Sequence, residues 1–272
     1  VENISKSFVG VKALKNVSLS LMAGEILCLV GENGSGKSTM IKIISGVYTP
    51  DEGNIFLNSH AYKKLTPIES IREGVQVIYQ DFSLFPNLSV AENLAINEQI
   101  TSGKALVNWK QIRQVARVGL ERIGIQIPLD AIAGSLSTAD RQLIAITKAL
   151  MADAKVIIMD EPTTALTRHE IQSLFKIIFD LKKKGIATLF VSHKLNEIQE
   201  IANRIIIFRN GEKVLDQEAG SLDIKTMEYH MTGRELTRFD FVSRAADSTE
   251  TPLLSVQNLT LLNKFEDVSF DM

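Results

Sequence analysis

The chain has 272 residues, of which 45% are hydrophobic, so it is long enough to bury a sizeable core. Its formal net charge of −2 at pH 7 leaves no basic excess, which argues against nucleic-acid binding through overall charge. The single cysteine, Cys28, excludes an intrachain disulfide, fits a reducing compartment and, within its apolar run, is predicted to be a small buried hydrophobe.

The first part of the chain alternates strand patterns with turn residues. Apolar residues alternate with serine over 14–21, which predicts a half-buried strand. The wholly apolar run 26–30 predicts a strand that is buried on both faces, as in a parallel sheet. A further short strand is predicted at 54–58, after the turn-prone residues 50–53.

Residues 84–150 lack strand patterns and carry apolar residues at helical spacing, which predicts an inserted helical subdomain. That spacing is followed by Trp109, Ile112, Ala116, Leu120 and Ile123.

The strand patterns resume beyond the insert. Strands are predicted at 156–159 and 186–191, separated by a helix that ends at three lysines and Gly185. Two more strands flank Asn210-Gly211, a strong hairpin turn. The whole alternation predicts an α/β fold with a mainly parallel sheet, an antiparallel β-subdomain and the inserted helical subdomain.

The end of the chain repeats its beginning. Residues 256–260 match residues 1–5, and residues 265–270 match residues 14–19, in the same order. Residues 238–251 show no clear period and are predicted to be a linker. We therefore predict a first domain at 1–237 and the start of a second copy at 252–272, with a second glycine-rich loop about 10 residues beyond Met272 in the longer protein.

A phosphate-binding motif lies between the strand at 26–30 and a helix predicted to open at Lys37. The motif G-x-x-x-x-G-K-[ST] is matched by Gly31, Glu32, Asn33, Gly34, Ser35, Gly36, Lys37 and Ser38. Small residues let backbone N–H groups converge on a phosphate at a helix N-terminus. Lys37 adds positive charge, Ser38 is the natural Mg²⁺ ligand, and Thr39 completes the predicted ATP site. The alternative is a glycine-rich turn with an incidental lysine.

Two acids follow the apolar strand at 156–159. In this order after a phosphate loop, Asp160 is expected to join the Mg²⁺ shell and Glu161 to polarise the attacking water as a general base. Without the phosphate loop, the same pattern would more often be a strand end that reaches solvent.

These motifs, together with Gln80 and His193, resemble the ABC ATPase family across essentially the full chain. The resemblance implies that Gln80 is the Q-loop glutamine, which contacts Mg²⁺ and water and faces a membrane subunit. It implies that His193 holds the γ-phosphate and that Phe8 stacks on adenine. A signature motif is implied at Leu136, Ser137, Thr138, Ala139 and Asp140, and a D-loop at 164–167. Taken singly, a solvated glutamine, a structural histidine and a core phenylalanine are the alternatives.

The signature departs from the family pattern Leu-Ser-Gly-Gly-Gln at its last three residues, and Thr167 replaces the usual D-loop aspartate. The negative charge of Asp140 is expected to weaken the site that it completes. These departures, with residues 232–236, are similar to the ribose, galactose and arabinose class of importers, in which two ATPase domains are fused in one chain.

The resemblance implies an ATPase, with ATP and Mg²⁺ as cofactors, that powers import of a sugar or related small solute. The implied partners are a second ABC domain, transmembrane permease subunits and, indirectly, a solute-binding protein; no nucleic acid is expected. No apolar run approaches the roughly 18 residues that a membrane span needs, so we expect a peripheral position on the cytoplasmic face of the cell membrane.

Two alternatives remain for the function. A soluble ABC ATPase acting on nucleic acid or ribosomes would carry a zinc site or a long coiled coil, but one cysteine excludes a Cys₄ site and no sustained heptad run appears. A small-molecule kinase would leave the signature segment and His193 unexplained.

Overall fold

The computed structural model describes residues 1–79, 84–102, 108–122, 124–164, 166–234, 252, 254–261 and 265–271. The chain divides into two compact units, Val1–Glu235 and Leu236–Met272. Among the residues described, no helix combines the length and the apolar character needed to cross a membrane. The predicted linker at 238–251 lies outside the described residues.

The first unit alternates strands and helices. Its strands are β1 (Glu2–Phe8), β2 (Val11–Val17), β3 (Ile26–Val30), β4 (Glu52–Leu57), β5 (His60–Tyr62), β6 (Val75–Ile78), β7 (Val156–Asp160), β8 (Ala187–Val191), β9 (Arg204–Arg209) and β10 (Glu212–Glu218). Its helices are α1 (Lys37–Ile44), α2 (Pro67–Arg72), α3 (Val90–Ser102), α4 (Trp109–Arg122), α5 (Thr138–Met151), α6 (Arg168–Lys183), α7 (Leu195–Ile201) and α8 (Ile224–Thr232).

A six-stranded sheet with the order β10-β9-β3-β8-β7-β6 forms the centre of this unit. All its pairs are parallel except the β9–β10 hairpin. Asn210 and Gly211 at that hairpin have φ values of 51° and 80°, the positive values that a tight primed turn requires. Every residue of β3 and β8 is buried, so both faces of the sheet are covered, as the apolar run 26–30 predicts.

Alternate residues of β3 belong to two different hydrophobic clusters. Cys28 packs in the cluster that includes α6 and α7, whereas Leu27 packs in the cluster that includes α1, β1 and β2. Burial raises the pKa of the Cys28 thiol, which is the behaviour of a small hydrophobe inside the core. The two-fold periodicity of a strand thus separates the two layers that sandwich the sheet.

A second, antiparallel sheet has the order β2-β1-β4-β5. The strand predicted at 14–21 lies instead at Val11–Val17. It begins earlier because Gly10, with φ of 78°, turns the chain so that Phe8 pairs with Val11. The ladder is interrupted after Val17, where the Asn3 N–H donates to the Ser18 hydroxyl, and main-chain hydrogen bonds resume between Val1 and Leu19.

The predicted insert at 84–150 contains α3, α4 and α5. Ile112, Ala116 and Leu120 on α4 are buried in a separate cluster with residues of α3, which agrees with their helical spacing. Trp109, the first residue of α4, is 56% exposed, because the helix begins there and its side chain lies outside that cluster. Ile123 lies outside the described residues.

The second unit contains an antiparallel pair, β11 (Ser255–Leu261) and β12 (Phe265–Asp271). Its register reproduces that of β1 and β2, because Leu259 faces Val268 as Ile4 faces Val17. Left-handed backbone occurs at matching positions of the two pairs, at Asn3, Asn16, Asn258 and Asp267.

Side-chain hydrogen bonds of the two hairpins also correspond. The Asn258 N–H donates to the Ser269 hydroxyl at 2.9 Å, as the Asn3 N–H donates to the Ser18 hydroxyl at 2.8 Å. The sequence repeat is therefore also a repeat of backbone conformation.

Candidate functional site

The candidate site lies at the carboxyl ends of three adjacent strands. The phosphate loop follows β3, His193 follows β8, and Glu161 follows β7, and these strands are consecutive in the sheet. The carboxyl ends of parallel strands meet at one edge, which is the usual place for ligands in open α/β sheets.

The phosphate loop depends on left-handed glycines. Gly34 and Gly36 have φ values of 81° and 108°, and Gly36 caps the N-terminus of α1 without a side chain that could accept its first amides. A Cβ at Gly36 would lie 2.6 Å from the Ala13 carbonyl oxygen and 2.8 Å from Leu14 Cδ2. The loop and β2 therefore pack too closely for any side chain at this position, and the amides of α1 are left free for an anion.

Lys37 curls back over its own loop. Its Nζ donates to the carbonyl oxygens of Gly31 at 2.7 Å and Glu32 at 2.9 Å, and the residue is only 6% exposed. Burial lowers the pKa of Lys37, and the nearby carboxylates of Glu161 and Asp160 oppose that shift. The loop therefore holds a lysine ammonium close to its amides, as a phosphate site needs.

Asp160 ends β7 and faces the same region. Burial raises the pKa of Asp160, and so does the charge of the adjacent Glu161, while Lys37 and Lys42 act in the opposite direction. The Ser38 hydroxyl lies in the first turn of α1 and is exposed. Mg²⁺ prefers oxygen ligands, and a cation would relieve the repulsion between the two carboxylates, so these residues fit Mg²⁺ with a phosphate.

Ser35 in the same loop carries a buried hydroxyl oxygen with no hydrogen-bond partner among the described residues. An unpartnered buried hydroxyl is unfavourable unless a further group completes its hydrogen bonds. A phosphate oxygen at this loop would supply such a group.

Glu161 has a left-handed backbone, with φ of 49°, which is uncommon outside glycine, asparagine and aspartate. Its N–H donates to the Val191 carbonyl oxygen at 2.9 Å, and its Oε1 lies 3.2 Å from Nδ1 of His193. The Glu161 side chain is 22% exposed and the His193 side chain 50%, so both reach solvent. The pair can place a carboxylate next to a water molecule at the edge of the sheet.

The signature segment forms a second group of residues. Ser137 caps α5, accepting a hydrogen bond from the Asp140 N–H at 3.1 Å and donating one to Asp140 Oδ2 at 2.9 Å. Ser137, Ala139 and Asp140 line a cavity of about 220 Å³ together with Leu166 and residues of α6. The signature thus lies beside Leu166, the third residue of the predicted D-loop, and its serine hydroxyl is held by Asp140. Leu136 and Thr138 are half-buried on either side of this cap.

Phe8 ends β1 and is 40% exposed. Its ring meets the edge of the Tyr48 ring at a centroid distance of 5.2 Å, and the Lys6 ammonium lies 5.6 Å from its centroid. An exposed aromatic ring suits stacking on a base. Tyr48 was missed from the sequence, where the only signal is an aromatic residue in the turn after α1.

Three more residues near Glu161 were not predicted from the sequence. Thr163, Lys194 and Glu197 form a ring of polar contacts between the segment after β7 and the segment after β8. No periodicity or motif singles them out, because residues 163 and 197 are far apart in the chain. Gln80, predicted as the Q-loop glutamine, and Ala165 of the predicted D-loop lie outside the described residues.

Comparisons with known proteins identify the family of the chain. A family model described as ABC transporter matches residues 14–164. The chain is 43% identical over 272 residues to a provisionally named ribose/galactose/methyl galactoside import ATP-binding protein 1 of Agrobacterium fabrum, covering 100% of this chain and 54% of that protein. It is 37% identical over 270 residues to the ribose import ATP-binding protein RbsA of Bacillus subtilis, covering 99% of this chain and 54% of that protein.

Solved structures show the same fold. The crystal structure of an ATP-binding cassette of an ABC transporter, in its ADP conformation, matches with a TM-score of 0.75 and 27% identity, covering 85% of this chain and 95% of that one. A dimeric cassette bound to ADP and Pi matches with a TM-score of 0.68 and 26% identity, covering 80% of this chain and 97% of that one. The chain spans about half the length of the curated relatives it matches.

Proposed function

Because the chain belongs to the ABC transporter family, we propose that it binds and hydrolyses ATP to power import of a sugar or related small solute. The observation that carries the proposal is the meeting of the phosphate loop, Asp160, Glu161 and His193 at the ends of adjacent strands. The names of the relatives support the solute class, since they describe import of ribose and galactose.

The residues divide the chemistry between them. The loop amides and Lys37 bind the phosphates, Phe8 stacks on the base, and Ser38, Asp160 and Gln80 would hold Mg²⁺, which would neutralise charge that develops on the phosphate oxygens. Glu161 accepts a proton from the attacking water. His193 lies beside Glu161, where it can hold the carboxylate and meet the γ-phosphate. Hydrolysis then breaks the bond between the β- and γ-phosphoryl groups, giving ADP and phosphate.

A facing signature segment completes each ATP site in the proposed assembly. The facing copy is a second ABC domain, and three observations support it: the curated relatives are about twice as long, residues 252–272 repeat the start of the chain, and β11–β12 repeat the β1–β2 register. The proposed domains are therefore 1–237, with the helical subdomain at 84–150, then a linker at 238–251 and the start of a second domain at 252–272.

The remaining partners follow from the import function. Transmembrane permease subunits would dock near Gln80 and the helical subdomain, and a solute-binding protein would act through the permease. The chain would then lie on the cytoplasmic face of the membrane. The soluble alternative, acting on nucleic acid or ribosomes, gains no support from the names of the relatives.

Nucleotide binding tests the proposal directly. We expect Lys37→Ala to weaken Mg-ATP binding by at least about 10-fold, or about 1.4 kcal/mol, because the lysine charge near the loop amides is lost. Isothermal titration calorimetry on this chain measures the affinity. Lys183→Ala is the matched control, since Lys183 pairs with Asp180 at the far end of α6. Equal affinities of wild type and Lys37→Ala would refute the phosphate-loop assignment.

A further inference from the structure

A closed ring of polar contacts joins Thr163 to the start of α7. The Thr163 hydroxyl donates to Glu197 Oε2 at 2.5 Å, and Lys194 Nζ donates to the Thr163 carbonyl oxygen at 2.9 Å. Lys194 Nζ lies 3.3 Å from Glu197 Oε1, which closes the ring. The hydroxyl and the carbonyl oxygen of Thr163 therefore both bond to residues of the neighbouring segment, and the carbonyl oxygen also accepts from the Leu166 N–H at 3.3 Å.

The ring is shielded from water. Thr163 is 1% exposed and the Glu197 side chain 12%, while Lys194 reaches solvent with about a third of its side chain. A hydrogen bond to a charged group in such surroundings is stronger than one on the surface. Removing the hydroxyl would also leave a carboxylate oxygen that lacks its donor, which adds to the loss.

The two segments joined by the ring carry the two groups of the proposed chemistry. Thr163 is two residues after Glu161, and Lys194 is the residue after His193. Glu161 also holds a left-handed backbone, which is unfavourable for such a residue and persists only where its surroundings restrain it. The Glu161 N–H donates to the Val191 carbonyl oxygen, the Glu161 carbonyl oxygen accepts from the Thr164 hydroxyl at 3.1 Å, and the ring fixes Thr163 between these two residues.

We propose that Thr163, Lys194 and Glu197 are positioning residues that hold the left-handed backbone of Glu161 and keep its carboxylate at hydrogen-bond distance from His193. None of the three needs to touch nucleotide. Their effect on ATP turnover rests on the proposed function, whereas their effect on the Glu161 backbone does not.

Amide hydrogen exchange of this chain without nucleotide tests the backbone effect. Thr163→Val keeps the shape of the side chain and removes the hydroxyl, whereas Thr163→Ser keeps the hydroxyl. We expect the Glu161 amide to exchange about 10-fold faster in Thr163→Val and at the wild-type rate in Thr163→Ser. Amides of β9 serve as an internal reference and should not change.

A surface contact between α6 and α7 supplies the matched control. Gln172 Nε2 donates to Glu200 Oε1 at 2.7 Å on an exposed face, so Gln172→Ala removes an interhelical hydrogen bond outside the ring. It should leave Glu161 exchange unchanged. Equal exchange rates at Glu161 in Thr163→Val and Thr163→Ser would overturn the proposal, as would faster exchange throughout the chain. Should Thr163→Val fail to fold, Glu197→Gln tests the same ring by weakening its ion pair.

A second experiment measures ATP turnover of the full-length protein together with its proposed membrane partners. Thr163→Val is expected to lower kcat about 10-fold while KM for ATP stays within about twofold, and Thr163→Ser should restore kcat. A parallel loss of kcat and ATP affinity would mean general damage and would overturn the positioning role. A normal kcat for Glu161→Gln would instead remove Glu161 from the proposed mechanism, and a wild type that does not hydrolyse ATP would refute the proposed function. Either outcome would leave the exchange result standing.

Discussion

Nδ1 of His193 lies 3.2 Å from Oε1 of Glu161, between the ends of the adjacent strands β7 and β8. The Glu161 N–H simultaneously donates to the Val191 carbonyl oxygen at the end of β8. The backbone of Glu161 is thus hydrogen-bonded to the last residue of β8, and its side chain contacts His193, two residues further on. Movement of either segment would change the distance between the two groups.

Glu161→Gln tests the general base. The amide keeps the size of the side chain but cannot accept the proton of water, so we expect ATP turnover of the full-length assembly to fall by about 10²-fold or more. ATP affinity should stay unchanged. Steady-state ATPase assays and calorimetry measure the two effects, with Glu228→Gln on α8 as the charge-matched control. Normal hydrolysis in Glu161→Gln would remove Glu161 from the mechanism.

Two glycines of the phosphate loop should respond differently to alanine. Both have positive φ, but a Cβ at Gly34 would meet no atom of the described residues within 4 Å, whereas a Cβ at Gly36 would meet the Ala13 carbonyl oxygen at 2.6 Å. Gly34→Ala should therefore lower the free energy of unfolding by only about 1–2 kcal/mol, because left-handed backbone is unfavourable for a residue with a Cβ. Gly36→Ala should lose clearly more, together with Mg-ATP binding. Urea unfolding of both variants measures the difference, and equal losses would contradict the close packing of the loop against β2.

Asp140→Gln tests the aspartate at the last position of the signature motif, where the family pattern has glutamine. The Asp140 carboxylate accepts the hydrogen bond of the Ser137 hydroxyl, so removing its charge should free that hydroxyl for a phosphate and reduce repulsion. The cap of α5 persists because the backbone N–H at position 140 still donates to Ser137. We expect the ATPase rate of the full assembly to rise or stay unchanged. A clear fall would show that the carboxylate has an active role.

Asp160→Asn should stabilise the chain against heat in the absence of Mg²⁺ and nucleotide. Burial and the charge of Glu161 raise the pKa of Asp160 above its ordinary value of 3.8, so the ionised carboxylate disfavours the folded state. The pKa of Asp160 is higher in the folded than in the unfolded chain. The penalty is therefore absent below the unfolded-state pKa, grows as the pH rises to the folded-state pKa, and is constant above it. The gain in Tm should thus be largest near pH 8 and shrink as the pH falls towards 4. A lower Tm of Asp160→Asn at pH 8 would contradict this electrostatic account.

Local sequence signals were sufficient for the central strands and the phosphate loop. The strand Ile26–Val30 was predicted with its observed bounds, because an all-apolar run is flanked by residues that favour turns. The start of α1 at Lys37 was likewise predicted, from the phosphate-loop motif that comes before it. The roles of the site residues themselves remain predictions until the variants are measured.

Contacts between distant segments could not be predicted in the same way. The side chains of Thr163 and Glu197 meet only because β7 and β8 are neighbours in the sheet, and strand order is not visible in either segment alone. The same holds for the Phe8–Tyr48 ring contact. The predicted bounds of β2 were wrong for a local reason. The turn at Gly10 starts the strand at Val11, and the hydrogen bond from the Asn3 N–H to the Ser18 hydroxyl interrupts the pairing after Val17.

The strands β3, β8 and β7 are neighbours in the sheet, so the loops that follow them are placed independently of the helical segment that contains α3 and α4. Neighbouring strands lie about 4.8 Å apart, so three consecutive strands bring their loops within about 10 Å of one another whatever the length of the connecting segments. The segment that contains α3 and α4 lies between β6 and β7 in sequence and packs around a cluster of its own. Substitutions on the outer faces of these helices can therefore change the surface of this segment while the spacing of the loops after β3, β8 and β7 stays constant.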